Sequence, residues 1–375
     1  MILPGATLGV LGGGQLGRMF ALRARVMGYR IVVLEPEPNS PAGQVADEQI
    51  TAAYDDPTAL EQLAHRCDAV TTEFENVPAG ALAKLAGRVV VAPPREAVAI
   101  TQDRLSEKDF LRAHNFLVPP SAAVRSAAEA EAAFGAIGAP AILKTARLGY
   151  DGKGQVPVST LAATVAALER FGGVSCILER RLNLESEVSV VLARGTDGAI
   201  ETFPVSENVH RHGILHTSTV PARIGPELRH NAGALAAHIA TALGYVGVLA
   251  VEMFVADQGR LYVNELAPRP HNSGHYTLDA CTADQFEQQV RTLCGLPLGS
   301  PRLLAPCSMV NVLGESWANG TPHWERALAL PGVRLHLYGK AVPRPGRKMG
   351  HLTCLASTAD EALDIAERAH AALSG

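Results

Sequence analysis

The sequence carries no large excess of charge of either sign. Its 375 residues hold 33 lysines and arginines against 37 aspartates and glutamates, a formal net charge of −4. That leaves no electrostatic footprint for a nucleic-acid partner, although local basic patches could still bind small phosphates. No two of the cysteines at 67, 176, 281, 294, 307 and 354 are spaced C-x-x-C, so neither a zinc ribbon nor a redox pair is signalled. Scattered single thiols suit a reducing cytoplasm. No apolar run reaches the ~18 residues that a membrane span needs. The apolar N-terminus is interrupted by glycines and followed by Arg18, Arg23 and Arg25, so it reads as a strand and a helix and not as a signal peptide. Internal repeats, low-complexity tracts and heptads are also missing. What is present is 47% hydrophobic and 19% charged residues, enough for a large buried core. The length suggests roughly two to three domains.

The first motif is "LGVLGGGQLGRMF", residues 8 to 20. Gly12, Gly14 and Gly17 fit the dinucleotide fingerprint G-x-G-x-x-G, and Glu35 closes the next apolar run where a ribose-binding acid would sit. Strand-like runs at 7 to 11 and 30 to 35 flank a helical pattern at 15 to 27, a β-α-β unit that implies a parallel sheet. "DAVTTEFEN" and "RVVVAPP" add strands, so residues 1 to about 100 form an open α/β unit. Asp103 then reads as the N-cap of a helix ended by "VPPS". Residues 120 to about 185 form a small α/β unit, and from 186 onward strands dominate. The expected boundaries are 1–103, 104–185 and 186–375.

The most informative local geometry lies in "LAVEMFVADQGRLYVNELAPR". If Gln258 and Gly259 form a two-residue hairpin loop, Asp257 faces Arg260 and Glu252 stands directly opposite Glu265. Facing carboxylates have Cβ atoms ~5 Å apart and destabilise each other. A divalent cation removes that conflict, and oxygen ligands without nearby cysteine or histidine favour Mg²⁺. Asn264 could add another oxygen. Two solvent-facing acids on an edge hairpin would be commoner, but that leaves their apolar surroundings unexplained. The expectation depends on loop length, because one extra residue would put the acids on opposite faces.

A second glycine loop, "TARLGYDGKGQ" at 145 to 155, follows Lys144 and contains Lys153. Its glycines would let backbone N–H groups close over phosphates as a lid. The spacing is not that of a Walker loop, and an ordinary Asp-Gly turn reads it equally well. "RPHNSGHYT" and "RPGRKMGHL" are basic segments suited to a small anion and a phosphate.

Taken together, "GGGQLGRM", "TEFENV", "GYDGKGQ", "GYVGVLAVE", "NELAPRPHNSGH" and "PGRKMGHL" resemble the ATP-grasp enzymes. Within them the chain is similar to the bacterial N5-carboxyaminoimidazole ribonucleotide synthetases. The resemblance implies an α/β and α+β fold: an N-terminal open parallel domain, a small lid domain and a larger mixed-sheet C-terminal domain. It implies that ATP, bicarbonate and 5-aminoimidazole ribonucleotide react through carboxyphosphate, with Mg²⁺ and without biotin, in a cytoplasmic homodimer. Carried over by motif, Arg104, Lys144, Gly149, Tyr150, Asp151, Gly152, Lys153, Gly154, Gln155, Glu179, Arg180, Arg181, Leu182, Glu187 and His210 would hold ATP, with Asn264 and Glu265. Glu252 and Glu265 would hold the metal. Gln15, Leu16, Glu73, Tyr150, Asn272, Arg347 and Lys348 would surround the ribonucleotide. Arg269 and His271 would face bicarbonate, and Asp151 and Lys348 complete the catalytic set. The first glycine loop would then receive the substrate's 5′-phosphate at Gln15 and Leu16, leaving Glu35 without a role. Rival readings are a formate-using glycinamide ribonucleotide transformylase, an NAD-dependent oxidoreductase and a non-catalytic nucleotide-binding module.

Overall fold

The structure is a computed structural model that describes residues 1–149 and 152–374. Its first layer is a parallel sheet of five strands in the spatial order Glu48–Ile50, Arg30–Leu34, Thr7–Leu11, Ala69–Thr72 and Val90–Val91. The interior strands are mostly apolar and buried on both faces, as parallel strands covered by helices must be. The order reverses beside Thr7–Leu11. At such a switch point the loops leaving the carboxyl ends of neighbouring strands diverge and open a crevice. The crevice is bordered by Gly12–Gly14 on one side and Glu73 on the other, whose N–H bonds to the Leu11 carbonyl at 3.0 Å. The Glu48–Ile50 strand was not expected. It is a short edge piece with one buried residue, too brief to show periodicity.

The Arg104–Ala113 helix begins where the Asp103 carboxylate accepts from the Leu105 and Ser106 N–H groups, the N-cap that the sequence predicts. It leads into an antiparallel sheet ordered Ser121–Val124, Cys176–Arg180, Ala141–Thr145 and Gln155–Val158. The Ala127–Ile137 and Leu161–Arg170 helices share its core. The second glycine loop joins the two strands in which Lys144 pairs with Gln155.

The third sheet has nine strands. Its main path runs from Arg260–Ala267 through Gly247–Ala256, Leu184–Arg194, Ser206–Arg211, Ile214–Val220, Cys307–Leu313 and Lys348–Leu355 to Val333–Leu337. The sequence suggests a mixed sheet here, but every described pairing in it is antiparallel. The C-terminal strands extend this sheet. The hairpin carrying Glu252 and Glu265 and the basic loop ahead of Lys348 therefore hang from one continuous sheet.

The Pro226–Ala242 helix covers the sheet through Ala232, Ala236, Ile239 and Ala240, all fully buried. Small side chains let the helix axis approach the strands closely. Leu249, fully buried against this face, belongs to the same core. Leu249→Ala is expected to cost about 2–5 kcal/mol by lost burial and an unfilled cavity, read by urea unfolding. A loss near zero would mean that this helix does not anchor the hairpin strand.

Candidate active site

The first glycine loop is built around two carboxylates. Gly12 has φ +111°, and a Cβ there would lie 2.3 Å from Glu73 Cγ. Glycine at this position lets Glu73 reach across the crevice. Its carboxylate accepts from the Gly14 N–H and, at 2.7 Å, from the Gly17 N–H, occupying the positive end of the Gln15–Val26 helix. Burial pushes the Glu73 carboxyl up, against the pull of the Gly17 and Gly14 N–H groups. Glu35 Oε2 accepts from the Gly13 N–H at 2.7 Å and from the Tyr54 hydroxyl at 2.6 Å. The acid that completes the dinucleotide fingerprint is thus spent on bracing its own loop, and the NAD reading loses its ribose ligand. The same loop bears on the expected phosphate contact at Gln15 and Leu16. The N–H groups of Gly14 and Gly17 already hold an internal anion, and the cavity is lined by Gln15 and Leu16 between them.

Glu252 does stand opposite Glu265, but not by the expected route. The hairpin loop has three residues, Asp257, Gln258 and Gly259, all at positive φ. From Ala256↔Arg260 to Met253↔Val263 the register is one residue away from the expected one. A β-bulge at Asn264 then restores it, giving Glu252↔Glu265. The two shifts cancel, so the predicted juxtaposition holds.

Each facing acid has a cationic or basic neighbour. Glu265 Oε2 lies 2.6 Å from Arg104, and Glu252 Oε1 lies 2.9 Å from His271 Nε2. Burial would raise the Glu265 carboxyl, but the charge and hydrogen bond of Arg104 outweigh it and hold it well below the usual carboxylate range. Asn264 Oδ1 is buried with no hydrogen-bond partner. The two carboxylates and this amide form the all-oxygen set that a hard divalent cation takes, with substrate phosphates completing its shell. Among the described residues no group of three or more His, Cys, Asp or Glu forms a self-contained metal cage.

The surrounding cavity is about 1310 Å³, above the ~300–1,000 Å³ of a single small-molecule pocket. The sequence-assigned residues line it, Gly154 excepted; Tyr150 and Asp151 lie outside the described residues. Gly154 instead closes its own turn, its carbonyl accepting from the Thr145 N–H at 2.8 Å. On the lid side Glu179 is buried, 2.5 Å from Lys144 and 3.9 Å from Lys108. Burial works against the charged form of Glu179, yet the two lysines prevail and hold the carboxyl down at about 2. Arg180 donates to the Ile137 carbonyl, so its side chain is tied into the lid. Glu187 lies 2.9 Å from His210 Nδ1.

Arg269 is paired with Glu75 at 2.5 Å. Asn272 exchanges both amide bonds with Asn311, so its side chain braces the loop and offers the cavity only an edge. Gln285 accepts from the His271 N–H and donates to the His271 carbonyl, both at 2.9 Å. Arg347 donates to the Val342 carbonyl, shaping the basic loop.

Sequence reasoning missed Glu75, Lys108, Gln285 and Lys340. Glu75 sits in the quoted "TEFEN", where only Glu73 received a role. Lys340 lines the cavity and donates to Gln15 Oε1 and to the Lys348 carbonyl; its cue was a Gly-Lys pair just upstream of the basic segment. Gln285 and Lys108 gave no local cue, because their partners are distant in sequence.

Three family models match the chain in succession. They are the ribonucleotide synthetase preATP-grasp domain over residues 5–102, the ATP-grasp domain over 109–286 and the phosphoribosylaminoimidazole carboxylase C-terminal domain over 307–365. The N5-carboxyaminoimidazole ribonucleotide synthase of Bacillus subtilis is 44% identical over 361 residues, covering 96% of this chain and 94% of that protein. The synthase of Brucella melitensis is 47% identical over 352 residues, covering 93% and 96%. A crystal structure of an N5-carboxyaminoimidazole ribonucleotide synthetase with ADP superposes with a TM-score of 0.93 at 44% identity, covering 99% of this chain and 97% of the other. The Aspergillus clavatus enzyme in complex with ADP and 5-aminoimidazole ribonucleotide gives 0.88 at 31% identity, covering 97% and 99%. The chain, with its two glycine loops and facing glutamates, therefore belongs to the N5-carboxyaminoimidazole ribonucleotide synthase family of ATP-grasp ligases.

Proposed function

We propose that the cavity divides the family's reaction between two ends that meet at Arg269 and His271. The reaction is the ATP-dependent carboxylation of 5-aminoimidazole ribonucleotide with bicarbonate in purine biosynthesis, giving N5-carboxyaminoimidazole ribonucleotide, ADP and phosphate. The observation that carries the division is the pair Glu252 and Glu265, facing each other across one hairpin between the lid and the first glycine loop.

ATP occupies the lid end. The backbone from Arg180 to Leu182 reads the adenine, and Glu187 takes the ribose hydroxyls. Lys144, Lys153 and Arg104 face the phosphates, while His210, Gly149 and Gly152 close over them. Glu252, Glu265 and Asn264 would hold Mg²⁺, which when bound neutralises charge on the transferring phosphoryl group. Arg269 and His271 orient bicarbonate for attack on the γ-phosphate, and their positive and polar groups are preorganised for the charge that develops there. A closed lid keeps water from the carboxyphosphate so formed.

The ribonucleotide occupies the other end, with its phosphate toward Gln15, Leu16, Arg347 and Lys348 and its ribose toward Glu73. Lys340 adds positive charge at this end. Asp151 handles the proton released when the exocyclic amine is carboxylated. In this reading residues 1–103 supply the ribonucleotide end, 104–185 the lid and 186–375 the metal-bearing wall. The protein works as a cytoplasmic homodimer.

Three measurements test these assignments. ATP hydrolysis should be stimulated by 5-aminoimidazole ribonucleotide and not by glycinamide ribonucleotide; the reverse preference would replace this reaction with formyl transfer. Glu265→Gln should raise the Mg²⁺ concentration for half-maximal activity by about 10–100-fold, and an unchanged requirement would move the metal elsewhere. In Gly14→Ala the new Cβ would meet Glu73 Oε1 at 2.5 Å. That variant should raise KM for the ribonucleotide about tenfold while leaving KM for ATP unchanged. An equal rise in both would refute the separation into two ends.

A further inference from the structure

The bulge at Asn264 is the feature that makes the two acids face each other, and one helix grips it from behind. Arg104, Glu107 and Lys108 lie at i, i+3 and i+4 on the Arg104–Ala113 helix, so they share one face. That face lies along the Arg260–Ala267 strand. Arg104 pairs with Glu265. Glu107 Oε2 accepts from the Leu266 N–H at 2.9 Å. Lys108 Nζ donates to the Asn264 carbonyl and, at 3.3 Å, to the Val263 carbonyl. Just beyond the helix, the Leu117 carbonyl accepts from the Val263 N–H at 2.8 Å. Every residue from Val263 to Leu266 is therefore held by this helix or by the segment that follows it.

A bulge leaves one residue outside the ladder and its polar backbone in need of other partners. Lys108 is fully buried and Glu107 nearly so. Burying a lysine there is costly unless its ammonium is fully used, and the two carbonyls flanking the bulge use it.

We propose that Lys108 and Glu107 are positioning residues that hold the Asn264 bulge and thereby set Glu252 and Glu265 on one face. This rests on the magnesium reading for its consequence, but not for the structural claim itself. Neither side chain touches substrate in this assignment. They act through the backbone of the strand that carries two of the three metal-facing oxygens.

The test uses the full chain with Lys108→Met, which keeps length and removes the donors, and Lys108→Arg, which restores them. Hydrogen–deuterium exchange should accelerate in the segment 259–268 of Lys108→Met and stay at the wild-type rate elsewhere. Its Mg²⁺ half-saturation in ATP hydrolysis should rise about 10–100-fold, with metal-free ADP binding unchanged. Lys108→Arg should recover both. Should Lys108→Met not fold, Glu107→Met removes the acceptor for Leu266 and predicts the same local exchange. Unchanged exchange in 259–268 of a folded variant would overturn the proposal. So would a loss of metal-free ADP binding equal to the metal effect, which would assign Lys108 to the nucleotide pocket through Glu179. If Glu265→Gln leaves the metal requirement intact, the magnesium reading fails, and the exchange result still decides whether the helix holds the bulge.

Discussion

A carboxylate removed from water needs a donor or a cation beside it, and that requirement organises the cavity. Glu73 is held by two backbone N–H groups, and Glu35 by two with a tyrosine hydroxyl. Glu75, Glu265 and Glu179 are each paired with an arginine or lysine, and Glu252 with a histidine. Two of these pairs reach from one layer to another. Arg104 at the entrance to the lid meets Glu265 on the third sheet, and Glu75 beyond the first sheet meets Arg269 just past the end of a third-sheet strand. The acids therefore position the three layers around one space.

Much of the first unit was legible because its signals are local. The strand, glycine loop and helix between 7 and 26, the Asp103 cap and the hairpin bearing the acids follow from nearest-neighbour rules of turn, cap and period. Glu35 shows the limit of such reading. It satisfies a spacing fingerprint, yet its partners are Gly13 and Tyr54, and only the folded loop reveals that it faces inward. The hairpin is more instructive still. Its tip was read one residue too short, and the bulge that compensates depends on a helix about a hundred and fifty residues earlier. No periodicity within the strand announces it. Gln285, clamping the His271 backbone from another helix, is invisible for the same reason.

The pairing of Cys307–Leu313 with Ile214–Val220 spans a long stretch of chain, so no local signal places the C-terminal strands. Once they join the large sheet, the basic loop ahead of Lys348 gains a fixed position. Lys340 then ties that loop to Gln15 in the first glycine loop. The segment thus forms part of the cavity wall beside the first glycine loop.

The three-residue tip of the acid-bearing hairpin and the bulge at Asn264 are separate devices. The helix contacts all fall between Val263 and Leu266, on the far side of the paired stretch from the turn. An insertion or deletion at Gln258 would thus be absorbed in the exposed tip while the acids kept their alignment. The hairpin end is free to drift in length during evolution, and the constraint is inherited by a helix that never enters the cavity floor with more than its first residue.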